Sequence, residues 1–360
     1  MARHFLVPFA AAAILAACSS GSGGSPSSSS LTPVGLAPNG HGIKQPPTVA
    51  ARPDVAPRPD HHKSWVAPDI GKAPRLLFIP DYGTGDVYVF TMPAMVLKAT
   101  LTGFSFPEGA CSDASGRIWI ADTGASQMLQ YSRTGTLLNT ISIPGEYPAG
   151  CAINYATNDL AVSNIESTTG GAGSIMIFKN ASGSPTTYTN PSFFLYFFVG
   201  YDNNGNLFFD GMDSGRTTSY FAELPSGGSN TQLISLSGGT LHVAGFIQWY
   251  KIGNYLALGD QQCGGSPSAC VYWVTVAGST GTITATTNLS NYQGGQVCDL
   301  AEGVIAGNGE RYVAGPDYEA TCSFTPTTAN RWPYEGGGTP TNYNNTTSFG
   351  EPLGAAVSAK

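Results

Sequence analysis

Charge is scarce in this 360-residue chain: Asp, Glu, Lys and Arg make up 11% of it, with 16 basic against 23 acidic residues and a formal net charge of −7. No run of Lys or Arg occurs, which argues against a nucleic-acid partner and against electrostatic docking on anionic lipid. Histidine is nearly missing too, since only His242 lies beyond residue 62. A Ser/His/Asp arrangement would depend on that one ring, and no G-x-S-x-G elbow accompanies it. Flanked by Leu241 and Val243, His242 reads as a satisfied structural residue. No C-x-x-C pair offers the usual zinc spacing. The apolar run at residues 5–17 is too short to span a bilayer.

That run does suit the hydrophobic region of a secretory signal, preceded as it is by Arg3 and His4. It ends in L-A-A-C at residues 15–18, which resembles the lipobox of bacterial lipoproteins, whose Cys becomes the acylated first residue of the mature chain. Cys18 is therefore the expected lipidation site; the alternative is an ordinary secretory signal with a stray Cys. Loss of Arg3 with the signal takes the net charge from −7 to −8. Residues 19–30 are almost wholly Ser and Gly, and residues 31–74 are rich in Pro, including A-R-P-D-V-A-P-R-P-D at 51–60. Such composition buries too little to offset the entropy of ordering. The expected organisation is a signal at 1–17, a lipidated, disordered tether at 18–74 and a folded domain at 75–360. Attachment should rest on the acyl chains of Cys18, outside the cytoplasm, in the outer membrane or at the cell surface. Ser19 after the Cys, rather than Asp, resembles outer-membrane sorting in some bacteria.

What the chain has in quantity is Gly, 46 residues, with 17 each of Tyr and Phe, a mixture suited to short strands and tight turns. Six times an apolar residue or Pro, a variable residue and Gly open a short β-type run, at Gly109, Gly150, Gly200, Gly245, Gly303 and Gly354. A second apolar run follows each time but the last, and one more precedes the first phrase. These runs end at Asp81, Asp122, Asn164, Gly211, Asp260 and Gly315, so two landmarks count six units. Turns such as D-A-S-G at Asp113 and D-N-N-G at Asp202 place an Asp to bond the turn backbone and a Gly where φ is positive. A period of this size means a repeat architecture. The first unit lacks its glycine phrase, and P-L-G-A-A-V-S at residues 352–358 supplies an orphan one. The expected fold is all-β: a six-bladed β-propeller of four-stranded antiparallel blades, closed by the C-terminal strand pairing with the first blade. An open β-solenoid is the alternative, and it would leave that phrase unpartnered.

The stretch P-E-G-A-C-S-D-A-S-G-R-I-W-I-A-D-T-G-A-S-Q-M-L-Q-Y at residues 107–131 resembles an NHL repeat, and D-Y-G-T-G-D-V-Y-V-F from Asp81 is similar to its second half. The globular part resembles the NHL and SMP-30/gluconolactonase-like six-bladed propellers, best over the first three units. That family includes metal-dependent lactonases with a Glu, Asn and Asp site around a divalent ion at the channel mouth. The residues before the repeat glycines, expected to lie near the channel, are Glu108, Ala149, Val199, Ala244, Glu302 and Leu353. Glu108 in F-P-E-G could match the family Glu, but Asn154 and Asp202 fit equally well as turn formers. Glu108 and Glu302 are thus channel-mouth candidates, their alternative being solvated carboxylates. No catalytic residue and no cofactor is assigned; a divalent cation such as calcium enters only if the lactonase reading holds. The recurrent Asp81, Asp122 and Asp260 read as turn caps on separate spokes.

Six cysteines remain beyond Cys18, and exported proteins form disulfides. Cys263 with Cys270, and Cys298 with Cys322, are the disulfide candidates. Cys111 and Cys151 follow their glycines by two and one residues, which by strand alternation points them to opposite faces and makes them buried thiols. The expected function is a membrane-anchored, non-catalytic binding or scaffolding module, a monomer with a protein, peptide or glycan ligand; the alternative is a metal-dependent lactonase-like hydrolase. Tyr318, Trp332, Tyr334 and Tyr343 either stack on that ligand or cover the last blade.

Overall fold

A computed structural model describes residues 64–265, 268–306, 311–318 and 326–359. Cys18, the signal and nearly all of the tether lie outside them, as does Cys322. The described chain forms six sheets around a common hub, antiparallel except that Ser235–Ser237 adds to the outer edge of one of them in parallel with Thr280–Asn288. Their innermost strands are Ala356–Ala359 (blade 1), Pro107–Ser112 (blade 2), Glu146–Asn154 (blade 3), Leu195–Tyr201 (blade 4), Ala244–Tyr250 (blade 5) and Val304–Ala306 (blade 6). The second apolar runs are the second strands: Arg75–Asp81, Ile118–Asp122, Asp159–Ser167, Leu207–Met212, Tyr255–Asp260 and Tyr312–Asp317. Each is buried along nearly its whole length.

Those second strands are continuously apolar because each blade is covered on both faces. Leu76 and Phe78 pack with Ile118 and Ile120 of blade 2, while Leu77 and Ile79 pack with Tyr312 and Ala314 of blade 6. The same alternation seats Trp119 and Met128 of blade 2 on Leu160 and Val162 of blade 3. One apolar layer therefore separates each pair of neighbours around the ring, the last pair included.

Closure is by the C-terminal strand. Arg75, Leu76, Leu77 and Phe78 pair antiparallel with Ala359, Ser358, Val357 and Ala356. Asp81 accepts the N–H groups of Gly350 and Glu351, both at 2.7 Å, which fixes the approach to that strand. Ahead of Arg75, Trp65–Val66 adds a fifth strand to blade 1 against Thr100 and Ala99, and Ile70 is buried beside Leu76. The end of the Pro-rich segment carries just enough apolar surface to bind the outer edge of that blade.

The repeated glycine has a steric cause at the hub. A Cβ on Gly109 would strike the Ala149 carbonyl of blade 3, one on Gly200 would meet the Ile247 carbonyl of blade 5 at 2.5 Å, and one on Gly354 would strike the Glu108 carbonyl of blade 2. Inner strands of neighbouring blades touch backbone to backbone there, and only Gly allows it. Register shifts accompany the crowding in the inner strands of blades 2 to 5.

Candidate functional site

Asp113 and Asp202 cap their turns as the sequence implies. Asp113 Oδ1 accepts Ser115 N–H and Arg117 N–H at 2.9 Å, and Asp202 Oδ1 accepts Asn204 N–H at 2.8 Å and Asn206 N–H at 2.9 Å. Gly116 and Gly205 have φ of 75° and 82°. The carboxylates at the far ends of the second strands also serve structure. Asp122 accepts Ser105 N–H, Asp210 accepts Phe198 N–H, Asp260 accepts His242 N–H and Val243 N–H, and Asp317 accepts Cys298 N–H. Each clamps the segment leading into its own blade's inner strand, except Asp210, which holds the middle of Leu195–Tyr201. Asp210 and Asp317 belong with Asp81, Asp122 and Asp260, one residue before Gly211 and two after Gly315. His242 Nδ1 lies 3.3 Å from Asp260 Oδ2, which also accepts the Tyr272 hydroxyl, so the ring is tied into that clamp.

The hub is half filled. Toward the starts of the inner strands, Tyr147, Ala149, Phe197, Ala244, Ala301 and Leu353 form one apolar cluster. Toward their ends a cavity of about 420 Å³ opens, lined by residues from all six blades: 110–112, 151–156, 198–203, 246–249 with 251, 302–304, and 355–356. This volume falls within the range of small-molecule sites, about 300–1,000 Å³. Tyr155, 67% exposed, stands at the rim. Phe198, Tyr201, Phe246 and Trp249 contribute to the wall.

The two candidate glutamates separate. Glu302 lines the cavity and is 7% exposed. Its Oε2 accepts Ala110 N–H of blade 2 at 2.8 Å and Ala355 N–H of blade 1 at 2.9 Å, so one carboxyl ties three blades together. Burial pushes its pKa up to about 8 even though both N–H groups pull the other way. Glu108 is not in the cavity lining: it is 0% exposed, and among the described residues neither carboxyl oxygen has a hydrogen-bond partner. Burial first, and the nearby charge of Glu351 second, hold its pKa well above the usual carboxylate range. Glu108 is sealed from solvent, whereas Glu302 keeps a small exposed surface where it lines the cavity.

The family's divalent cation does not fit these residues. A hard cation needs several oxygen ligands together. At the level of Glu108 the other glycine-preceding positions are apolar at Ala149, Val199, Ala244 and Leu353, and Asn154 Oδ1 and Asp202 are committed to their own turns. Among the described residues no group of three or more His, Cys, Asp and Glu could hold a metal ion.

Cys111 and Cys151 are not thiols: they form a disulfide, with Cα atoms 5.6 Å apart, in the cavity wall between blades 2 and 3. Alternation along one strand says nothing about two strands that converge from adjacent blades, and both carry a register shift next to the cysteine. Cys263 and Cys270 are bonded as expected. Cys298 is disulfide-bonded; Cys322, its candidate partner, lies outside the described residues. Trp332, Tyr334 and Tyr318 are buried, the first two in the layer between blades 5 and 6, and Tyr343 stacks on Tyr292 at 4.6 Å between centroids. The aromatic insertion therefore covers its blade.

The sequence reading missed the cavity aromatics. Tyr155, Tyr201 and Trp249 follow their repeat glycines by five, one and four residues, and this clustering of rings at the ends of inner runs was the available signal.

Residues 88–165 match the family model of the SMP-30/gluconolactonase/LRE-like region, from the third strand of blade 1 to the second of blade 3, with Glu108 inside the match. No curated protein matches the chain. Among solved structures, a chain of a nidogen/laminin complex aligns with TM-score 0.59 at 11% identity, covering 79% of this chain and 98% of that one. A protein from Bacteroides caccae aligns with TM-score 0.57 at 15% identity over 80% and 100%. TolB from Acinetobacter baumannii aligns with TM-score 0.56 at 13% identity over 79% and 67%. At these identities the likeness is one of fold, which many functions share. The chain is a six-bladed β-propeller whose residues 88–165 are similar to the SMP-30/gluconolactonase/LRE-like region.

Proposed function

We propose that this protein is a lipoprotein of the bacterial cell envelope, anchored through acyl chains on Cys18, whose propeller is a non-catalytic binding module that takes a small molecule in its hub cavity. The observation that carries the binding role is the cavity itself, walled by the inner strands of all six blades and open at the end where those strands turn back. A pocket on so rigid a frame is preorganised, so little ordering cost opposes a ligand. The lipobox-like L-A-A-C and the Ser/Gly/Pro tether support the anchor, and two disulfides suit an oxidising compartment.

The neutral dye N-phenyl-1-naphthylamine tests the cavity. It is expected to bind one site with enhanced fluorescence, and Ala152→Trp, which fills the wall, is expected to abolish the signal at an unchanged melting temperature. Binding that survives Ala152→Trp, or no binding at all, removes the cavity from the function. The anchor is tested separately: Cys18→Ala is expected to end incorporation of labelled palmitate, and unchanged labelling would remove the lipoprotein reading.

A metal-dependent lactonase remains the second reading because the family match spans Glu108. Calcium or zinc is expected to leave the melting temperature unchanged. Stabilisation by either ion that disappears in Glu108→Ala would favour the hydrolase instead.

A further inference from the structure

The cavity carries chemistry at its walls that goes beyond its size. Glu302 Oε2 is held by two backbone N–H groups, while Oε1 takes no hydrogen bond among the described residues. Three other polar side chains of the wall are committed: the Gln248 amide pairs with both backbone groups of Ile305, and Asn154 and Asp202 close their own turns. Aromatic rings supply much of the remaining surface. Lys251, the one cation among the described lining residues, is exposed.

Resting on the reading of the cavity as the ligand site, we infer that it selects a small organic cation, a primary or methylated amine on an apolar or aromatic body, with the ammonium on Glu302 Oε1 and the body against the rings. A carboxylate fixed at one oxygen by two blades gives up no rotamer freedom when its other oxygen meets a ligand. A charge-assisted hydrogen bond in a largely apolar site is among the stronger polar contacts, and the faces of Trp249, Tyr201 and Phe198 attract a cation that a neutral or anionic ligand would not replace. Burial favours the protonated acid in the empty cavity. Binding an ammonium therefore breaks the Glu302 O–H bond and sends that proton to the buffer, leaving the carboxylate paired with the ligand.

Calorimetry with 2-phenylethylamine, 2-phenylethanol and phenylacetate tests this, since the three share one ring and differ chiefly in charge. The amine is expected to bind about tenfold more tightly than the alcohol, and phenylacetate more weakly than both. Titrations in buffers of different ionisation enthalpy are expected to show close to one proton released per amine at pH 7, falling away well above pH 8. Glu302→Gln keeps an oxygen for Ala110 N–H and Ala355 N–H, so it should fold, as its melting will show. It is expected to cost the amine about tenfold and to leave the alcohol almost unchanged. An amine that binds no better than the alcohol, or no binding by any of the three while the neutral dye still binds, overturns the cation assignment and spares the cavity. Failure of the dye as well overturns both.

Discussion

Truncation before Gly350 should lower the melting temperature by on the order of 20 °C or remove the cooperative transition altogether. The deleted tail carries the inner strand of blade 1 and the buried side chains of Leu353, Ala355, Ala356, Val357 and Ser358. Burying Leu353 and Val357 stabilises by about 2 kcal/mol each, and each hydrogen bond lost from the ladder or from Asp81 and Glu302 removes about 1 kcal/mol. Together these approach the whole net stability of a domain, about 5–15 kcal/mol. Loss of the strand also leaves the carboxylate of Asp81 without Gly350 N–H and Glu351 N–H, and it bares Leu76, Leu77 and Phe78 on an open edge. Differential scanning calorimetry of the truncated chain is the measurement. A melt identical to that of the full chain would mean that the ring does not depend on its C-terminal strand.

The second large effect is a loss of stability as pH rises. Glu302 titrates near pH 4.5 when unfolded and near 8 in the folded chain. Below the lower value both states hold the proton and its contribution is fully present. Between the two, the unfolded chain has released the proton that the folded chain keeps, so stability falls by up to about 1.4 kcal/mol per pH unit. Integrated across the window, the loss is about 4 kcal/mol by pH 8. Glu108, raised in the same direction by burial and by Glu351, adds to the slope, and Asp122, pushed up to about 6, adds to its lower part. Melting temperature should therefore decline from pH 5 to pH 9. Glu302→Gln should flatten the decline above pH 6, with Glu108→Gln flattening it further. A profile that is level from pH 5 to 9, or that rises, would show that these carboxyls are not held as neutral acids.

Legibility in the sequence was uneven, for reasons visible at particular residues. The six glycines announced six units because each sits where a Cβ would crowd a neighbour, the backbone at five of them and the Phe246 ring at Gly303, and such an exclusion leaves its trace at one position. The caps at Asp113 and Asp202 were readable because donor and acceptor lie within four residues. The Cys111–Cys151 bond was not, since it joins strands 40 residues apart whose approach depends on how two blades pack. Glu108 and Glu302 occupy the same place in their repeats, yet one is sealed in with no partner and the other bridges three blades at a cavity. Nothing local to F-P-E-G or A-E-G distinguishes them.

The sequence alone determined the number of blades, their strand order, the C-terminal closure and the turns, because all of these follow from short-range sterics and apolar alternation repeated at a near-constant period. Only the tertiary structure decided where the hub is plugged and where it is open, which carboxyl faces the cavity, and which cysteines meet. Those outcomes depend on six inner strands converging on one axis, where the space left to any side chain is set by five neighbours that are distant along the chain.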